Sequence, residues 1–92
     1  MTNYHVSPPP EQKLKAHWIV GYDPESEKAE YTLEIPISKA DVLRRFVRFE
    51  SGDPEGYDSY KMEYSKIMEM LDLLGHASKP PKRLEYFLEP SP

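Results

Sequence analysis

Two runs of alternating residues flank one polar turn between Leu14 and Ile35, and this pair constrains the fold more than any other feature. The first run, LKAHWIVGY from Leu14 to Tyr22, is rich in β-branched and aromatic residues and reads as a strand. The second, AEYTLEI from Ala29 to Ile35, sets Tyr31, Leu33 and Ile35 on one side and Glu30, Thr32 and Glu34 on the other. DPESEK, Asp23 to Lys28, lies between them, so an antiparallel hairpin with a longer loop is expected. Pro36 ends the pairing because it has no N–H to donate. On the first strand Ala16, Trp18, Val20 and Tyr22 share one face, and Lys15, His17, Ile19 and Gly21 the other. As the sole tryptophan, on a central strand, Trp18 is expected to anchor the core.

The rest of the chain alternates helix and strand signals. Ser38 suits a helix N-cap with Asp41 at N3, and the spacing of Val42, Leu43, Phe46 and Val47 predicts a helix over 39–49. Arg44, Arg45 and Arg48 fall on or beside its opposite face. YKMEY, Tyr60 to Tyr64, reads as a short strand with Tyr60, Met62 and Tyr64 inward. Ser65 then caps a second helix over 66–74, with Ile67, Met70, Leu71 and Leu74 inward and Gly75 at C′. RLEYFL, Arg83 to Leu88, is the last strand. The order is ββαβαβ. It predicts an α+β fold of two layers: a four-stranded, mostly antiparallel sheet with both helices on one face. Residues 1–12, with Pro8-Pro9-Pro10, are expected to be a flexible lead-in, 13–89 a single domain and 90–92 a tail.

Helices on one face leave the other open. Alternation assigns His17, Ile19, Thr32, Glu34, Lys61, Glu63, Glu85 and Phe87 to that outer face. Ile19 and Phe87 would form an apolar spot ringed by carboxylates. Such a spot is either a partner's anchor or ordinary surface scatter.

The stretch from Glu50 to Tyr64, ESGDPEGYDSYKMEY, is the densest candidate for function. It holds Glu50, Asp53, Glu55, Asp58 and Glu63, with Tyr57, Tyr60 and Tyr64, against one cation, Lys61. One reading is a docking surface for a cationic protein, with carboxylates for charge and tyrosines for contact area. The other is a solvated loop. A calcium site is disfavoured, because the spacing of Asp53, Glu55 and Asp58 does not match an EF-hand.

Charge and composition narrow the classes. A net charge of −4 argues against sequence-independent nucleic-acid binding and against docking on an anionic membrane. With no cysteine there are no disulfides, thiolate sites or cysteine nucleophiles, which suits the cytoplasm. MTNYHVSPPP lacks a signal pattern, and no apolar run approaches membrane-span length. No activated serine, phosphate loop or histidine pair marks an active site, and no cofactor or metal is indicated. The one enzymatic alternative pairs His17 with Glu34 or Glu85 as general acid and base, and it requires a concave pocket there.

HWIVGYD (His17 to Asp23), YTLEIPI (Tyr31 to Ile37) and LEYFLEP (Leu84 to Pro90) together resemble small bacterial proteins, among them immunity proteins encoded beside polymorphic toxins of contact-dependent inhibition or bacteriocin type. The resemblance implies binding without catalysis: occlusion of a cognate toxin, commonly a basic nuclease domain. The expected contact residues are Glu50, Asp53, Glu55, Tyr57, Asp58 and Tyr60, with Glu34, Glu63, Glu85 and Phe87 as a second patch. A generic binding or regulatory subunit, homodimeric through free sheet edges, is the alternative.

Overall fold

Strand β1 (Ala16–Tyr22) pairs antiparallel with β2 (Ala29–Pro36), as the alternation predicts. A computed structural model describes residues 14–76 and 79–91 of the chain. In the hairpin turn the amide of Ser26 donates to Asp23 Oδ2 at 2.8 Å. The turn closes with the amide of Asp23 on the carbonyl of Lys28, and Glu27 takes a left-handed φ of 62°. Arg83 reaches across to Asp23 and Glu30, tying this turn to the start of the last strand.

Two further strands complete the sheet: β3 (Tyr60–Met62) and β4 (Glu85–Ser91). The order is β2-β1-β4-β3 and every pairing is antiparallel. Two short helices, α1 (Ala40–Leu43) and α2 (Tyr64–Leu73), complete the predicted ββαβαβ architecture. Their buried residues Leu43, Ile67, Met70 and Leu71 form one core with Ile19, Ile35, Met62, Tyr86 and Leu88 of the sheet, so both helices cover the same face.

That core reverses the expected faces of β1. Ile19 stands opposite Leu33 on one side and Leu88 on the other, and it is fully buried. His17, two residues away on the same face, is 1% exposed. Trp18 therefore lies on the helix-free face and is only half-buried. The pattern of β1 is apolar on both faces, so the neighbours' pattern decides: Leu33, Ile35 and Leu88 draw Ile19 inward. Gly21 shares this face because the ring of Tyr86 lies over it. A Cβ there would sit 2.6 Å from Tyr86 Cε1.

The first helix is shorter than its periodicity suggests. A 3₁₀ turn over Ile37–Lys39 leads into α1, whose N-cap is Lys39 rather than Ser38 and has no side-chain capping bond. After Leu43 the bonds tighten to i→i+3 at Arg45 and Phe46. The β-branched and aromatic residues Val42, Phe46, Val47 and Phe49 are poor helix formers. The chain turns so that Val47 enters the core and Phe49 packs on it from the edge.

Helix α2 begins earlier than expected. Glu63, not Ser65, is its N-cap residue, and Tyr64 belongs to its first turn rather than to β3. Its other end follows expectation: Gly75 has φ of 71°, the amide of His76 donates to Leu71 and that of Gly75 to Asp72, a Schellman closure. Strand β4 starts two residues late and runs through Ser91, so Pro90 is paired opposite His17 rather than frayed. Pro90 is tolerated because β3 has its last partner at Leu88.

Candidate functional site

The acidic loop is organised from within by Asp53. Its Oδ1 accepts the amide of Tyr57 at 2.7 Å, and its Oδ2 accepts the amide of Asp58 at 2.9 Å and the hydroxyl of Tyr60 at 2.7 Å. The Tyr60 oxygen in turn accepts the amide of Glu50 at 3.1 Å. Burial opposes ionisation of Asp53, but these donors outweigh it and hold its pKa below the usual carboxylate range. Asp53 is 9% exposed and both oxygens are occupied, so it closes the loop rather than facing a partner.

Beneath the loop lies His17. Its Nε2 is 3.0 Å from the carbonyl oxygen of Gly56, while its Nδ1 has no hydrogen-bond partner among the described residues. The bond fixes the Nε2–H tautomer. Desolvation lowers the pKa of His17, partly offset by the Gly56 carbonyl. Phe49 stacks on the imidazole with centroids 5.7 Å apart, meets Tyr60 at 5.2 Å, and carries the Arg44 guanidinium 5.3 Å above its own centroid. His17 thus faces Phe49 and Gly56, not Glu34 or Glu85, so the surface position expected from alternation is overturned and the acid–base pairing weighed as the enzymatic alternative does not form.

Of the six loop residues singled out from sequence, Glu50, Glu55, Tyr57 and Asp58 stay exposed, with Tyr57 at 40%. Asp53 and Tyr60 turn inward. The spacing Asp53-x-x-Gly56 was the available signal for this closure, since an aspartate before a left-handed glycine commonly caps a turn.

The helix-free face of the sheet presents a different arrangement. Trp18, Tyr22 and Phe87 stand there half-buried, on the two central strands, with Val20 between them at 6% exposure. Tyr22 meets Phe87 edge-on at 5.8 Å. Register places Glu34 and Glu89 on either side of Trp18, Glu85 beside Tyr22, and Lys61 beside Phe87. The Tyr22 hydroxyl donates to Glu89 Oε2 at 2.6 Å, and this bond raises the tyrosine's pKa. Three rings framed by three carboxylates and one cation form a mixed apolar and anionic surface. Sequence reasoning found Glu34, Glu85 and Phe87 there but missed Trp18, Tyr22 and Glu89. Glu63 is not part of this face: it follows β3 as the N-cap of α2 and lines a groove beside Arg48, Lys61 and Lys66.

Among the described residues no group of three or more histidine or acidic side chains is placed to hold a metal ion, and no helix is long and apolar enough to cross a membrane. No family model, no curated protein and no solved structure matches this chain.

Proposed function

We propose that this protein binds and neutralises a cognate toxin domain with a basic surface, an immunity-type role in the bacterial cytoplasm, by steric and electrostatic occlusion. The observation that carries the reading is the ring and carboxylate surface on the helix-free face: Trp18, Tyr22 and Phe87 framed by Glu34, Glu85 and Glu89. Aromatic side chains held by central strands lose little entropy on binding and form the usual anchors of protein interfaces. The surrounding carboxylates speed encounter with a cationic partner and set its register. Glu55 and Asp58 belong to the loop packed over His17 on the other side of the sheet, so their charge acts only at long range, on the association rate.

The role involves no bond making or breaking. The test is co-expression with the product of the gene immediately upstream. The reading expects that product to arrest growth alone and this chain to restore it. Continued arrest in the presence of the intact chain, or an upstream product without toxicity, contradicts it.

A further inference from the structure

We propose that the free edge of β3 is a docking slot for an extended acidic peptide, which adds to the sheet as a fifth strand. β3 ends the sheet, and among the described residues no strand pairs with its other side. Such an edge offers backbone N–H and C=O groups to any extended chain that can approach it. A groove of about 400 Å³ lies along this edge. Phe46, Val47 and Met62 supply its apolar lining, and Arg48, Lys61 and Lys66 its cations. Among the described residues Glu63 is the only acid in that lining, so three positive charges less one negative leave +2, within a chain whose net charge is −4. Charge complementarity selects an anionic occupant.

The same charges argue against the other occupants. A second copy pairing edge to edge would set Lys61 near the copy's Lys61, and like charges across a strand pair are destabilising. A nucleic-acid backbone would find only three cations here, too few to offset repulsion from the rest of the molecule. An acidic peptide gains the backbone ladder as well as the charge. The slot lies along one sheet edge and shares only Lys61 with the Trp18 face; none of that face's rings or carboxylates line it, so its failure would leave the proposed toxin binding standing.

The experiment titrates the full ¹⁵N-labelled chain with a blocked heptapeptide, Glu-Glu-Val-Glu-Val-Glu-Glu, and follows backbone amide shifts. The proposal expects shifts centred on Tyr60 to Met62 and affinity that falls with added salt. It expects no binding of the peptide with lysine in place of glutamate. The exposed double variant Lys61→Glu/Lys66→Glu should weaken binding at least ~10-fold. The same peptide N-methylated at alternate amides should fail to bind. Equal binding of the N-methylated peptide, shifts confined to other strands, no shift at millimolar peptide, or displacement by a single-stranded oligonucleotide at equal concentration would each overturn it.

Discussion

His17 Nε2 hydrogen-bonds the carbonyl of Gly56 at 3.0 Å, across 39 positions of sequence, and so joins the central strand to the acidic loop. The loop is therefore part of the folded domain. Its shape depends on Gly56, whose φ is 79° and whose Cα faces Phe49 closely enough that a Cβ would stand 2.6 Å from Phe49 Cζ.

Gly56→Ala should destabilise the protein by about 2–3 kcal/mol, because left-handed backbone strain and a clash with Phe49 add together. Gly75→Ala has the same backbone penalty but open space around it, and should cost about 1 kcal/mol. Urea unfolding of both variants checks the difference. Equal losses would mean that Phe49 does not pack on Gly56.

Stability should fall on mild acidification through His17. Its folded pKa lies below the unfolded value because burial disfavours the imidazolium. In the window between the two, the unfolded chain binds more protons, so stability rises with pH there and is fully present above the unfolded value of 6.5. Thermal melts from pH 7.5 down to pH 5 should show a decline beginning near that value, and the slope should shrink in His17→Gln. A wild-type melting temperature independent of pH in this window would contradict the burial of His17.

Asp53→Ala should cost about 2–3 kcal/mol, since it strands the amides of Tyr57 and Asp58 and the Tyr60 hydroxyl. Hydrogen exchange should accelerate at Tyr57 and Asp58 more than in β1. By contrast, Glu55→Lys/Asp58→Lys changes only exposed positions and should leave the melting temperature within about 2 °C of wild type. Exchange in the loop unchanged by loss of the carboxylate would remove Asp53 from its organising role.

Much of the fold was legible in the chain, because Tyr31, Leu33 and Ile35 alternate cleanly and Gly75 follows its helix as a C′ residue should. The orientation of β1 was not. LKAHWIVGY carries large residues on both faces, and the size of Trp18 favoured the wrong one. What decides is non-local: Ile19 is sandwiched between Leu33 and Leu88, a register that the strand itself does not encode. The same inversion hid the candidate site, since it moved His17 beneath the loop and brought Trp18 and Tyr22 onto the face of Phe87. Charge alone pointed to Asp53, whereas its hydrogen bonds give it an architectural task.

The most direct measurement is calorimetric titration of the upstream gene product with wild type, with Trp18→Ala/Phe87→Ala, and with Glu55→Lys/Asp58→Lys. Loss of the two rings should weaken binding at least ~100-fold while the fold persists by circular dichroism. The loop reversal should change affinity less than ~10-fold. Full affinity without the rings, or a loss confined to the loop variant, would contradict the helix-free face as the binding surface.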